Sequence, residues 1–130
     1  MIQHEGIHHV SIIVTDLQQA KTFYEEIIGL KEIERPPFDF PGAWYAIGPG
    51  GQQLHLIVHN GETLRSSGID TRDGHFAIRV ADFEATLDWL RQRGVEHKAN
   101  PNSITGFGQI YVTDPDRNVI ELNAAKVARG

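Results

Sequence analysis

The chain has 130 residues, enough for one buried core, with 40% apolar residues, a formal net charge of −5 and no cysteine. The acidic balance gives no electrostatic basis for nucleic-acid binding, and the lack of cysteine excludes disulfides, thiolate metal sites and a cysteine nucleophile. No apolar run approaches the roughly 20 residues of a membrane span, and Met1–Gly6 lacks the basic and apolar regions of a signal peptide, so a soluble cytoplasmic protein is expected.

Ile7 to Val14 alternates as a strand, with Val10, Ile12 and Val14 on one face and His9, Ser11 and Ile13 on the other. Asp16 is placed as a helix N-cap, with Gln19 in the capping-box position. Apolar residues at Leu17, Ala20, Phe23, Tyr24, Ile27 and Ile28 form the stripe of the helix that follows, and Gly29 supplies its left-handed stop. Strands are expected at Leu30–Glu34, Ala43–Ile47 and Gln53–His59. They are separated by the proline-rich loop Pro36–Gly42 and the turn Gly48–Gly51. The turn opens no helix, so it is not a phosphate loop.

Asn60–Gly74 is polar and glycine-bearing and is the expected linker, after which the pattern restarts. His75–Val80 alternates, Asp82 is a second N-cap, and a helix carrying Phe83, Leu87 and Leu90 runs to Gly94. Strands are expected at Val95–Lys98, Gly108–Val112 and Val119–Asn123, the last two separated by the turn Asp114-Pro115-Asp116. Each half thus reads as a strand, a helix and three strands, an α+β pattern.

The halves repeat at a fixed offset. His9 meets His75, Ile12 meets Ile78, Val14 meets Val80, Asp16 meets Asp82, Tyr45 meets Tyr111, Pro49 meets Pro115 and Leu56 meets Leu122, each 66 residues apart with no gap. Phe23 and Trp89 stand at the same offset. Because these matches fall on caps, turns and core faces, an internal duplication is expected within a single domain: a first module over residues 1–66 and a second over 67–130, the latter with a C-terminal tail.

In each module the helix must cover the apolar face of the sheet. His9, His55, His75 and Glu121 therefore face away from the helices, toward whatever concavity the sheets enclose. Imidazole and carboxylate donors without sulfur suit a divalent transition metal such as iron, zinc, nickel or cobalt. One histidine on a strand is ordinarily just solvated or hydrogen-bonded; the symmetry of the four favours a metal site. His59 is two positions beyond Ile57 on the His55 face, either an acid or base or simply a polar strand end. Arg79 shares the His75 face, as an anchor for an anionic substrate group or as a salt bridge. Tyr45 and Tyr111 are read as equivalent, bringing phenols to the site or packing the core. Trp44, Phe40 and Phe38 either roof an apolar pocket or form a minor core or dimer contact.

His9-Val10-Ser11-Ile12-Ile13-Val14-Thr15-Asp16-Leu17, followed by Phe23-Tyr24 and Gly29-Leu30, resembles the opening of the vicinal oxygen chelate superfamily, and Asp114-Pro115-Asp116-Arg117-Asn118-Val119-Ile120-Glu121-Leu122 resembles its closing motif. That superfamily includes glyoxalase I, fosfomycin resistance enzymes, extradiol dioxygenases and bleomycin resistance proteins. The resemblance implies two tandem βαβββ modules forming an open, cup-shaped mixed sheet around a central cavity that holds one divalent metal ion (Zn, Ni, Co, Mn or Fe(II)), often in a homodimer. It implies His9, His75 and Glu121 as ligands, with His55 at a fourth position that is Glu or Gln in glyoxalase I. Arg117 stands where a glycine is usual.

The function expected on this basis is that of a metal-dependent lyase or isomerase acting on a small oxygen-bearing substrate that chelates the metal, with His55 or His59 as base. The alternatives are an Fe(II) ring-cleaving dioxygenase and a non-catalytic protein that binds a small molecule.

Overall fold

The structure is a computed structural model that describes residues 1–59, 68, 69, 71 and 74–125. The chain divides into two compact units, Met1–Thr63 and Leu64–Gly130. Most of the expected linker Asn60–Gly74, and the tail beyond Ala125, lie outside the described residues.

The first unit runs β1 (His9–Val14), α1 (Leu17–Thr22), a π-helical turn (Phe23–Ile27), β2 (Lys31–Ile33), β3 (Gly42–Ile47) and β4 (Gln52–Val58). Asp16 is the N-cap, its carboxylate accepting from the Gln19 amide at 3.0 Å. The expected continuous helix to Ile28 instead widens at Phe23. This keeps both Phe23 and Tyr24 buried and brings the Glu25 carboxylate to the Tyr45 hydroxyl, which donates to it at 2.8 Å. Gly29 takes the left-handed backbone that ends the segment, with φ of 81°.

The strand order is β1-β4-β3-β2, with β1 parallel to β4 and the other pairs antiparallel. Val14, Leu54, Leu56, Ala43 and Tyr45 are buried together with Ala20, Phe23 and Tyr24. Because side chains alternate along a strand, His9, His55 and Trp44 point the other way.

The second unit has the same plan: β5 (His75–Arg79), α2 (Phe83–Gln92), β6 (His97–Asn100), β7 (Phe107–Thr113) and β8 (Val119–Ala125), in the order β5-β8-β7-β6. Asp82 caps α2, accepting from the Ala85 amide at 2.8 Å. Leu87 and Leu90 are buried with Ile110, Val112, Ile120 and Leu122. Trp89 does not reproduce the buried role of Phe23. It is 37% exposed and lies under the Arg93 guanidinium at 4.3 Å.

The gapless repeat holds on the outer pairings and fails on an inner one. Ser11 pairs with His55 and Ala77 with Glu121, so the parallel pairings share one register at the offset of 66. In the antiparallel pairing that register slips by one residue, since Trp44 faces His55 whereas Tyr111 faces Glu121. A one-residue slip moves a side chain to the other face. Tyr45 and Tyr111 are therefore not equivalent; the counterpart of Tyr111 is Trp44.

Two local features yield predictions. Gly108 lies against the Phe83 ring of α2, leaving no room for a Cβ. Gly108→Ala is expected to destabilise the fold by about 1–3 kcal/mol, as overpacking does, measured by denaturant unfolding. Arg117, in the turn before β8, holds a left-handed backbone with φ of 66° although it is not glycine. Arg117→Gly is expected to raise stability by about 0.5–1 kcal/mol, the steric relief of roughly 1–2 kcal/mol less the entropy cost of glycine.

Candidate metal centre

The sequence-derived ligand candidates gather in two pairs, one in each unit. In the first unit, the parallel pairing of β1 with β4 sets His9 opposite Gln53, two residues before His55 on the same face. The rings of His9 and His55 stack at 4.1 Å with planes 17° apart, and Trp44 covers the other face of His55 at 3.9 Å and 3°. His55 is thus an imidazole held between two rings and only 7% exposed. Its Nε2 lies 2.8 Å from Gln53 Oε1, an oxygen that can only accept, so the proton sits on Nε2 and Nδ1 carries the lone pair. Burial, then the neighbouring His9, His8 and Arg35, pulls the His55 pKa down to about 4, so the ring is neutral at neutral pH. His9 Nδ1 meets His8 Nδ1 at 2.8 Å.

The aromatic row continues past Trp44 to Phe38 at 6.1 Å, which stacks on Phe40 at 5.1 Å. Arg35 lies 5.0 Å from both phenylalanine rings and donates to the Phe40 carbonyl at 2.7 Å, tying the proline-rich loop together. Phe40 is 39% exposed and reaches His55 only through Phe38 and Trp44.

In the second unit, His75 Nε2 stands 3.4 Å from Glu121 Oε1. Glu121 is 5% exposed, and its carboxylate is held by donors on the same sheet face: Asn123 Nδ2 to Oε2 at 2.6 Å, Gln109 Nε2 to Oε1 at 3.2 Å, and the Tyr111 hydroxyl. Burial alone would raise the carboxyl pKa. The hydrogen bonds from Asn123 and Tyr111, with the charge and contact of His75, outweigh it and hold the pKa below the ordinary value. Tyr111 meets His75 edge-on at 5.5 Å and packs with Ile69 and Val119; burial and its bond to Glu121 push the phenol up to about 12. Arg79 donates from Nε to Asn123 Oδ1 at 2.7 Å and lies over the Phe107 ring at 5.1 Å.

Two expected site residues are not brought to these pairs. Tyr45 is fully buried on the helix face, where burial and the Glu25 carboxylate raise its pKa. His59 follows β4 at the surface, its backbone amide bonded to the Val14 carbonyl at 2.9 Å. Gln53, Gln109 and Asn123 also belong to these pairs and carry no motif in the sequence. The signal available was alternation: Gln53 is two residues from His55, and Asn123 two from Glu121, on the same faces.

Among the described residues no three His, Asp or Glu side chains gather into a metal cluster. The donor chemistry of the pairs still discriminates. Two donors about 2.1 Å from one tetrahedral ion lie roughly 3.4 Å apart, which is the separation of His75 from Glu121 and is long for a hydrogen bond between them. The rings of the other pair are stacked, so as placed their in-plane lone pairs do not converge on one point.

The family model for the Glyoxalase/Bleomycin resistance protein/Dioxygenase superfamily matches residues 6–122. A lactoylglutathione lyase of Salmonella typhimurium is 27% identical over 125 residues, covering 92% of this chain and 93% of the relative. A protein of Vibrio parahaemolyticus named as a lactoylglutathione lyase at the level of probability is 31% identical over 129 residues, covering 94% and 92%. The chain spans only 42% of the length of the Arabidopsis thaliana relative named lactoylglutathione lyase GLX1 and of a similar Brassica oleracea protein. Among solved structures, one from Bacillus anthracis whose description names the glyoxalase family superposes with a TM-score of 0.78 at 25% identity, covering 97% of this chain and 99% of that one. The fosfomycin resistance protein FosX of Listeria monocytogenes superposes at 0.71 with 23% identity over 96% and 95%, which establishes the fold alone. No described helix is long and apolar enough to cross a membrane.

The depressed His55 pKa gives a pH signature of folding. Between the ordinary histidine value of 6.5 and about 4, the unfolded chain binds a proton that the folded chain does not. Stability is therefore expected to be full above pH 6.5 and to fall as pH drops toward 4. Thermal melts across this range check it: His55→Gln should flatten the profile there, leaving the loss at lower pH that follows protonation of Glu121.

Proposed function

The chain belongs to the Glyoxalase/Bleomycin resistance protein/Dioxygenase superfamily, and from that premise we propose that it is a divalent-metal-dependent lyase of the glyoxalase type. Its substrate is a small molecule presenting two oxygens to one ion, and a homodimer in the cytoplasm is its working form. The observation that carries this is the His75–Glu121 pair, a buried, ionised carboxylate already spaced from an imidazole as two ligands of one ion are. The relatives named lactoylglutathione lyase point to lyase chemistry within the superfamily.

In this proposal His9, His75 and Glu121 hold the ion. When bound, the ion supplies Lewis acidity toward the substrate oxygens. His55, whose ring stacks on His9 instead of converging with it, serves as the base. Its Nδ1 accepts the proton from the substrate carbon while Gln53 Oε1 steadies the Nε2–H of the imidazolium that forms. Its pKa of about 4 gives it the proton affinity of an ordinary carboxylate without the negative charge. A histidine can thus stand where glyoxalase I has a glutamate. Trp44 holds the His55 ring flat, and Phe40 and Phe38 extend an apolar surface from it for the remainder of the substrate.

The test combines metal analysis with turnover. Purified or reconstituted protein is expected to carry nickel, cobalt, zinc or manganese and to convert a hemithioacetal. His9→Ala, His75→Ala and Glu121→Ala should each lose the ion; His55→Gln should keep it and lose at least 100-fold in kcat, the scale of a general base. Full metal occupancy in Glu121→Ala contradicts the ligand set. Iron(II) with oxygen uptake on catechols would assign a dioxygenase, and protein that takes up no metal would be a binding protein.

A further inference from the structure

We infer that Arg79 is a positioning residue for Glu121, acting through Asn123, and not an anchor for substrate; this rests on the proposed role of Glu121 as a ligand. The argument starts from what each group can do in a hydrogen bond. A guanidinium only donates, so the oxygen 2.7 Å from Arg79 Nε must be the Asn123 amide oxygen. With Oδ1 fixed there, the Asn123 NH2 is turned the other way, onto Glu121 Oε2 at 2.6 Å. An asparagine otherwise has two amide orientations of similar shape; the arginine removes one. The guanidinium is itself held, with Cζ over the Phe107 ring at 5.1 Å from its centroid.

The consequence is a carboxylate with its lone pairs allocated. An ionised carboxylate offers about four acceptor positions. Asn123 takes a position on Oε2, Gln109 one on Oε1 and the Tyr111 hydroxyl a third, and Oε1 is the oxygen that faces His75. With Oε2 held by Asn123 and Oε1 turned to His75, a cation beside that imidazole would meet Oε1.

The first unit supplies an internal control. At the offset of 66, Arg79 and Asn123 correspond to Ile13 and Ile57, and the parallel register matches Ile13 with Ile57 as it matches Arg79 with Asn123. The candidate in that unit is His55, a neutral ring that needs no amide to orient a charge. The positions that carry the arginine–asparagine pair beside Glu121 carry two isoleucines beside His55.

The experiment uses the full-length protein in two arms. In metal-free protein, the Asn123 side-chain NH2 is expected to give a proton resonance shifted downfield by its 2.6 Å bond, and Arg79→Ala should move it toward the free-amide position. In Co(II) titrations followed by absorbance, Asn123→Ala and Arg79→Ala should each weaken binding by about 10–100-fold, and the double variant should be no weaker than Asn123→Ala alone, because Arg79 acts only through Asn123. Asn123→Asp, nearly isosteric but without the donor, replaces the alanine variant if that fails to fold. Unchanged Asn123 resonances and unchanged Co(II) affinity in Arg79→Ala, with a raised KM for anionic substrates, would overturn the inference and make Arg79 an anchor. If wild-type protein binds no Co(II), the proposed function fails, and the amide resonance alone decides the relay.

Discussion

Everything at the candidate centre depends on the parallel pairing of the first and last strands of each unit. A βαβββ path brings the last strand back beside the first, and the crossing α-helix takes the apolar face. The other face then receives whatever the alternation places there: His9 beside His55, and His75 beside Glu121. Parallel neighbours with the same register in both units make two donor pairs of the same layout from different residues. The chemistry diverges because one half carries a neutral ring where the other carries a carboxylate.

The supporting residues follow that divergence. Around His55 the structure builds an apolar sleeve, with Trp44 and His9 on its faces and a single amide oxygen at its edge. That environment favours the uncharged imidazole. Around Glu121 it builds donors, two amides and a phenol, with an imidazole beside them. That environment favours the charged carboxylate in spite of burial. The one-residue slip between β7 and β8 belongs to this contrast, since it puts a phenol, Tyr111, across from the carboxylate where the other half has the flat apolar face of Trp44.

Much of this was legible in the sequence. Caps at Asp16 and Asp82, the glycine stops, and the two-residue period of the strands give the elements and their faces without reference to neighbours, and the repeat marks which positions correspond. What was not legible is what depends on pairing across strands. A fixed sequence offset cannot reveal a register slip, so it pairs Tyr45 with Tyr111 although Tyr45 turns toward Glu25 in the helix layer. The π-helical turn was hidden for a similar reason. Its cause is the joint burial of Phe23 and Tyr24 against the sheet, a tertiary demand that overrides a continuous helical stripe. The amides of Gln53, Gln109 and Asn123 carry no signal as residue types; only their place beside an imidazole or a carboxylate gives them a role.

The proposal that a divalent ion is held at the His75–Glu121 pair is supported by membership in the superfamily and by the spacing of that pair. The most direct test is the stoichiometry of Co(II) binding to metal-free protein, read from the ligand-field absorbance as the ion is added. One saturating equivalent per chain, with the band intensity of a nitrogen- and oxygen-bound ion, is the predicted result. Absence of a saturable step would contradict it.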